Sequence, residues 1–248
     1  MRIRSLVGII PLLAVEIVPR DMFVKLREFN TRLQVIKLTR PDLTRVISDI
    51  ETMNKDGNYL FAIMVGDRLE SLLKRLLDEA EFLSDYGIRS LSKHYQDNPF
   101  VFGYQGYEYR IQYEPGESSS DMFGGNSNWR GPIWFPLNYL IIQALRKYHT
   151  YYGDSFTYEF PAGSGKKLTL KEIARELTKR LLKLFEKNGE GMHTYHDHHH
   201  PQWADTHFKE HHLFYEFFHG DTGQGLGASH QTGWTALIAN LLLEMGEE

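Results

Sequence analysis

The sequence YEFFHGDTGQGLGASHQTGW, at residues 215–234, runs from an acidic aromatic start through a glycine-rich polar stretch to a tryptophan. The apolar residues 235–243 follow it with the spacing of a buried helix. So many Gly, Ser, Thr and His residues directly before a helix are typical of a loop that binds a ligand. Aromatic faces, close-approach backbone and the Glu216 carboxylate favour a sugar site with a catalytic acid or base. The alternative is a tight interhelical turn in which Glu216 is incidental.

Three other segments carry apolar residues at spacings of three and four, which is the pattern of amphipathic helices. They are residues 69–83, 133–148 and 170–185. Thr169 and Glu172 fit a capping box at the start of the third segment. Together with the helix after Trp234, these segments predict a mainly helical protein.

Two segments complete the predicted architecture. Residues 6–17 are predicted to be helical, with a break at Pro11. Residues 99–113 alternate between aromatic or aliphatic and polar residues, which predicts a short β-hairpin that turns at Gly106. No repeat of fixed period and no linker interrupt the chain. The sequence therefore predicts a single all-α domain over residues 1–248 with a small β excursion.

Composition excludes several classes of function. The chain has 42% hydrophobic and 24% charged residues and a net charge of -4, so it lacks the basic face of a nucleic-acid binder. It contains no cysteine, which excludes disulfides and thiolate metal sites. The apolar start is broken at Pro11, ends at Glu16 without a cleavage site, and is too short to cross a bilayer. We expect no nucleic-acid or membrane partner, and a cytoplasmic location.

Two motifs suggest ligands that the surrounding sequence does not favour. GSGKK at residues 163–167 resembles half of a phosphate-binding loop, but Phe160 and Lys167 occupy positions that need Gly and Ser or Thr. We predict a polar hairpin there.

Nine of the 12 histidines lie in residues 193–219. Imidazole is a common metal ligand, but the irregular spacing in a predicted loop favours a hydrated surface loop. We predict neither a metal site nor a cofactor.

A second loop, FGGNSNWRGPIWFPLNY at residues 123–139, has the same design as residues 215–234 and also enters an amphipathic helix. Its Arg130 supplies a planar set of donors, and its Asn128 supplies a paired donor and acceptor. The alternatives are core packing for Trp129 and Trp134 and a salt bridge for Arg130. A third loop, residues 82–92, ends the first amphipathic helix. Two such loops, each opening a helix, favour a shared rim.

These three loops, in this order, resemble the C-terminal half of glycoside hydrolase family 63, which contains processing α-glucosidases and their bacterial relatives. The matching runs are residues 4–13, 84–92, 125–139 and 215–234. The Trp-Arg-Gly-Pro-Ile-Trp run and the Glu-aromatic-aromatic pattern also resemble trehalases of the same clan. The resemblance implies an (α/α)6 toroid of six helical hairpins, with the active site in a funnel of loops at one end.

The resemblance also implies roles for single residues. Such enzymes invert the anomeric centre with two carboxylates about 6.5–9.5 Å apart, one acting as acid and one as base. Glu216 stands at the position of the base, and the substrate is an α-linked gluco-oligosaccharide. The residues implied to bind that substrate are Asn128, Trp129, Arg130, Trp134, Asp85, Tyr86, His230 and Gln231.

The family's general acid is an Asp far upstream of the base, and Asp67, Asp85 and Asp121 do not lie in its motif. We therefore expect the chain to be the C-terminal portion of the catalytic domain, inactive alone or dependent on a complementing chain. An upstream half-domain or a second copy would cover its exposed helix faces. Two other interpretations stay open: a non-catalytic or vestigial carbohydrate-binding module, and a histidine-rich metal-binding helical protein.

Overall fold

The computed structural model describes residues 3–44, 52–120, 127–196 and 201–247. The α-helices of this part of the chain range from single turns to five turns in length. They are α1 (Arg20–Lys25), α2 (Arg27–Thr39), α3 (Pro41–Thr44), α4 (Asp67–Leu76), α5 (Phe135–Tyr152), α6 (Leu170–Leu182), α7 (Thr206–Lys209), α8 (Thr232–Thr235) and α9 (Ile238–Glu247).

The strands form five two-stranded antiparallel sheets in the described residues. Their strand pairs are β1 (Val15–Pro19) with β2 (Asn58–Ala62), β3 (Leu83–Ser84) with β4 (Gly87–Ile88), β5 (Phe100–Tyr104) with β6 (Tyr107–Ile111), β7 (Thr157–Glu159) with β8 (Lys167–Thr169), and β9 (Phe217–Phe218) with β10 (Gly225–Leu226). The prediction of a mainly helical chain with one β excursion therefore undercounted the strands.

The core forms where α5 and α6 pack against each other, and α4 contributes buried leucines to the same cluster. Completely buried leucines and isoleucines recur on each helix at the helical spacing that the sequence predicted. They are Leu69, Leu73 and Leu76 on α4, Ile142 and Leu145 on α5, and Ile173 and Leu181 on α6. Burying a leucine or isoleucine side chain contributes roughly 1.5–3 kcal/mol, so this core supports the loops next to α5 and α6.

Local sequence signals fix several helix boundaries. The capping box at α6 is confirmed, because Thr169 Oγ1 accepts from Glu172 N at 3.3 Å and Glu172 Oε2 accepts from Thr169 N at 2.8 Å. Helix α4 ends at Leu76 instead of residue 83, since the following residues turn into β3. The C-terminal helix is divided into α8 and α9.

The helix predicted over residues 6–17 is wrong for its C-terminal part and is present only as short 3-10 helices before it. The chain forms two 3-10 turns, Leu6–Gly8 and Ile10–Leu13, and then the strand β1. Pro11 cannot donate a helical hydrogen bond, and the β-branched residues after it pair with β2 from residue 58 onward. The partner strand lies far away in sequence, so the local pattern did not contain it.

Both predicted hairpins are confirmed. In the β5–β6 hairpin, Gln105 and Gly106 form the turn with φ angles of +50° and +81°, the left-handed pair that a two-residue hairpin turn requires. The β7–β8 hairpin contains the GSGKK motif as a polar turn.

The described helices do not include one long and apolar enough to cross a membrane.

Candidate active site

Residues 215–234 fold back on themselves beside the N-terminus of α5. Strands β9 and β10 pair, and the pairing continues outward as Glu216 N donates to Ala228 O at 2.8 Å. Phe217 and Phe218 are completely buried, and Ile133 exchanges two backbone hydrogen bonds with Phe218 at 2.8 and 3.0 Å. The predicted loop is therefore a short, anchored hairpin over residues 216–228, called the Glu216 hairpin below. This hairpin fixes the backbone at Glu216.

Glu216 is half-buried and both of its carboxylate oxygens accept a hydrogen bond. Oε1 accepts from Ser127 Oγ at 2.9 Å, and Oε2 accepts from Ala228 N at 3.3 Å. Gly227 allows this close packing, because its φ is +67° and an added Cβ would lie 2.8 Å from Glu216 Oε2. The carboxylate is thus held by groups from both polar loops, a hydroxyl from one and a backbone amide from the other.

An aromatic stack lies next to Glu216. Trp129 stacks on Trp134 with ring centroids 3.9 Å apart, and Trp134 in turn stacks on Phe217 at 4.9 Å. Trp134 is 1% exposed and donates from Nε1 to the Asn128 carbonyl at 3.0 Å. Trp129 covers one of its faces, so Trp134 occupies the core position that was the alternative to sugar binding. Trp129 and Trp234 present the accessible ring surface of this stack.

Asn128 and Arg130 are buried and make their side-chain hydrogen bonds to the protein. Asn128 Nδ2 donates to the carbonyls of Glu114 and Gly116 at 2.8 and 2.7 Å. Arg130 Nη2 donates to Glu114 Oε2 at 2.7 Å, and the same guanidinium donates to two serine hydroxyls of residues 118–120. The salt bridge that was the alternative for Arg130 is present, and both residues fix the segment 114–120.

Only part of the third loop, residues 82–92, lies against the hairpin that carries Glu216. Tyr86 is half-buried against residues 215–234, where an added Cβ on Gly223 would lie 2.9 Å from its ring. Burial raises the pKa of Tyr86. Asp85 points away into solvent, with its side chain 75% exposed and its nearest cation, Arg180, at 3.9 Å.

His230 and Gln231 lie beside a separate groove of about 550 Å³. The groove is lined by Gln202, Trp203, Phe208, His211, His212, Leu213, Tyr215, Ser229 and His230. His230 is exposed there, and its backbone bridges to Phe214, two residues before Glu216. Gln231 precedes α8, and its N–H donates to the Phe214 carbonyl at 2.7 Å. Both residues therefore border the Glu216 hairpin.

The interpretation of the histidine-rich segment as a hydrated surface loop is wrong for two of its members. His193 and His196 are 2% and 0% exposed. His193 stacks on Tyr195 at 4.8 Å and His196 on Trp203 at 4.5 Å. Burial lowers the pKa of His193, so it packs as a neutral aromatic ring. Residues 198–200 lie outside the described part, and the described residues do not include a group of three or more potential metal ligands.

Sequence reasoning missed Asp221, which ties the Glu216 hairpin to two other segments. Its Oδ1 accepts from the buried Arg89 at 3.0 Å, Lys93 at 3.2 Å and Tyr113 at 3.1 Å. Burial alone would raise the pKa of Asp221, but the hydrogen bond and charge of Arg89, followed by those of Lys93, hold it below its usual range. The sequence shows an Asp in the polar turn at residues 219–224, but the partners of this Asp lie more than 100 residues earlier and could not be inferred.

His219 was also missed as a structural residue of this hairpin. Its Nδ1 accepts from the N–H groups of Asp221 and Thr222, both at 3.2 Å. Burial lowers the pKa of His219. A ring nitrogen that accepts from two amides must be unprotonated, so the turn requires neutral histidine.

Part of the sequence matches a known protein family. Residues 60–205 match the model described as the glycosyl hydrolase family 63 C-terminal domain. This match covers more than half of the chain. The chain belongs to glycosyl hydrolase family 63. Membership of this family implies a helical toroid fold.

This family 63 chain is similar in sequence to three curated proteins. It is 47% identical over 98% of its length to the uncharacterized protein YMR196W of Saccharomyces cerevisiae, of which it covers 23%. It is 30% identical over 71% of its length to the mannosyl-oligosaccharide glucosidase of the same yeast and covers 15% of it. To α-glucosidase 2 of Arabidopsis thaliana it is 26% identical, over 77% of this chain and 18% of the relative. The chain thus spans less than a quarter of these relatives.

Proposed function

We propose that this family 63 chain carries the general-base part of an inverting glycoside hydrolase that cleaves α-glucosidic linkages in oligosaccharides. Glu216 is the base: it removes a proton from the water that attacks the anomeric carbon. The observation that carries the proposal is the environment of this carboxylate, which lies between the two polar loops and accepts from Ser127 Oγ at 2.9 Å and Ala228 N at 3.3 Å.

The hydrogen bonds around Glu216 support the role of a base. Two donors leave each carboxylate oxygen with further lone-pair capacity for a water molecule. They also fix the side-chain rotamer, so that the base is oriented before substrate binds. The accessible faces of Trp129 and Trp234 lie on the same stack as Phe217, the residue after Glu216. Aromatic faces of this kind pack against the apolar face of a pyranose ring.

The proposed substrate is an oligosaccharide, and the groove beside the hairpin offers a place for its further sugar units. The 550 Å³ groove begins at Tyr215, directly before Glu216, and includes Ser229 and His230 on the returning segment. It combines ring surfaces with hydroxyl, amide and imidazole groups, which is the usual lining of a small-molecule site. We assign further sugar units of the substrate to this groove. The mannosyl-oligosaccharide glucosidase among the relatives has, by its name, a substrate of this class.

The general acid belongs, in this proposal, to polypeptide outside these 248 residues. Asp67 and Asp85 lie at the exposed start of α4 and in the exposed turn between β3 and β4, and neither is enclosed by apolar groups as a catalytic acid is. Asp121 lies outside the described residues. We further propose that the chain completes an (α/α)6 toroid with that polypeptide and is inactive without it.

A non-catalytic carbohydrate-binding module is the second candidate, and the exposed faces of Trp129 and Trp234 favour it equally. Hydrolysis separates the two. We would incubate a panel of α-linked glucose disaccharides with the chain, alone and together with the remaining polypeptide of the 47%-identical yeast relative. Release of β-glucose from an α-linkage, followed by proton NMR before mutarotation, supports the inverting hydrolase. Binding without hydrolysis under both conditions supports the module, and release of α-glucose overturns the inverting mechanism.

A further inference from the structure

The segment 114–120 is held more firmly than a connecting loop needs to be. Asn128, which is 0% exposed, donates both hydrogens of its amide to the Glu114 and Gly116 carbonyls. Arg130, which is 2% exposed, pairs with the Glu114 carboxylate. Burying a charged guanidinium is costly unless it is paired and hydrogen-bonded. Two buried polar side chains therefore act together to set the position of this one segment.

The Glu216 hairpin holds the same segment from its other side. Gly220 N donates to the Pro115 carbonyl at 2.8 Å. The ring of His219 lies against Gly116, where an added Cβ would be 3.1 Å from Cδ2. The segment is consequently fixed relative to both polar loops, and the side chain that follows Gly116 has a defined place beside the hairpin.

That side chain is Glu117, and it reaches the backbone turn that also binds Glu216. Glu117 Oε1 accepts from Gly227 N at 3.3 Å, while Glu216 Oε2 accepts from Ala228 N at 3.3 Å. The amides belong to consecutive residues whose Cα atoms are about 3.8 Å apart, so the two hydrogen-bonded carboxylate oxygens lie within about 10 Å of each other. Glu117 is exposed, and in the described part of the chain nothing donates to its Oε2.

We propose that Glu117 is a substrate-binding residue of the Glu216 site and that its carboxylate atom Oε2 accepts hydrogen bonds from hydroxyl groups of the bound glucose unit. The inference rests on the proposed function, because it takes the sugar at Glu216 as given. An ionised carboxylate only accepts, and neighbouring sugar hydroxyls are matched donors. The buried Asn128 and Arg130 then have a functional reason, since they position a residue that binds the sugar instead of binding it themselves.

The test compares four proteins: the full chain, Glu117→Gln, Glu216→Gln and the matched control Glu108→Gln on the exposed face of β6. Dissociation constants for kojibiose, nigerose and maltose are measured by titration calorimetry with each protein. Loss of a hydrogen bond to a charged group weakens binding by roughly tenfold or more. We expect that loss in Glu117→Gln for the sugar that binds best, an unchanged melting temperature, and no change in Glu108→Gln.

The outcomes separate the two proposals. Unchanged affinity in Glu117→Gln, with sugar binding intact in the unmodified chain, overturns the role of Glu117 and leaves the proposed function standing. Lack of sugar binding by the unmodified chain and by its complex with the remaining yeast polypeptide overturns the proposed function and this inference with it. A lowered melting temperature in Glu117→Gln would assign the residue a structural role, which also overturns the inference.

Discussion

The position of the Glu216 carboxylate depends on the absence of a side chain at residue 227. Gly227 has a φ of +67°, and an added Cβ would lie 2.8 Å from both Glu216 Oε2 and the ring of Phe217. Either contact is shorter than van der Waals distance. Because Phe217 is completely buried, the Glu216 side chain is the one that would have to move.

Gly227→Ala should therefore displace the carboxylate without unfolding the protein. Backbone strain at a positive φ costs on the order of 1 kcal/mol, and Gly163→Ala provides the matched control. Gly163 has a φ of +82° with open space around the position of its Cβ. We expect a larger loss of unfolding free energy in Gly227→Ala, whose Cβ also meets the buried Phe217 ring, than in Gly163→Ala, and reduced sugar affinity in Gly227→Ala alone. Equal affinities in the two variants would contradict the steric argument.

The stability of the folded protein depends on pH through His219. Its Nδ1 accepts from two backbone amides, and burial, opposed by the nearby Asp221 charge, lowers its pKa from 6.5. The unfolded chain therefore binds a proton at higher pH than the folded chain. The contribution of His219 to the free energy of unfolding is therefore complete above pH 6.5. It is lost as the pH falls through the lowered pKa that His219 has in the folded chain.

Melting temperature should consequently fall as the pH is reduced from 7.5 to 5.5. His219→Gln keeps an acceptor but does not titrate, so we expect a smaller fall in this variant. The buried His193, whose pKa is also lowered, leaves part of the fall in place. Differential scanning calorimetry at intervals of half a pH unit measures both slopes. An identical fall in the two proteins would remove His219 from this explanation.

At the scale of elements, Asp221 joins the Glu216 hairpin to the segment after β4 and to Tyr113. Its Oδ1 is 3.0 Å from Arg89 Nη2, and the Arg89 side chain is 6% exposed while that of Asp221 is 29% exposed. Removing one partner of a buried pair leaves a charge without compensation. The partial exposure of Asp221 reduces the cost below that of a fully buried pair.

We expect Asp221→Asn to lower the free energy of unfolding by about 2 kcal/mol. Asp154→Asn, whose side chain is 91% exposed, should change it by less than about 0.5 kcal/mol. Urea titrations of both variants at pH 7 measure the difference. Sugar affinity should fall with Asp221→Asn, because the hairpin loses its anchor. Equal stabilities of the two variants would show that the ion pair does not hold these elements together.

The elements also separate what sequence could predict from what it could not. The capping box of α6 and the turn at Gly106 depend on residues three or fewer positions apart, and both were predicted. Strand β1 was predicted as helix because its partner β2 lies about forty residues later. The partners of Asn128 and Arg130 lie 10–16 residues before them, so sequence indicated their importance but not that their donors point into the protein.

At the scale of the whole molecule, the chain covers 15–23% of the relatives compared with it. Helices α1, α2 and α3 bury none of their described side chains, and apolar residues such as Val24 and Leu38 are 62% and 83% exposed. Coverage of such surfaces by an upstream half-domain or a second copy stays a prediction, as does closure of the toroid. The hydrolase site is therefore proposed as shared between this chain and further polypeptide.

The most direct test of this account is kcat/KM for the best α-glucoside of the panel. It is measured for the chain together with the remaining yeast polypeptide, and again with Glu216→Gln and with Glu108→Gln in its place. Loss of a general base costs about 10²- to 10⁴-fold in rate. We predict a loss of that size with Glu216→Gln and unchanged kinetics with Glu108→Gln. Equal activity of the Glu216→Gln protein and the unmodified one would contradict the assignment of Glu216 as the base.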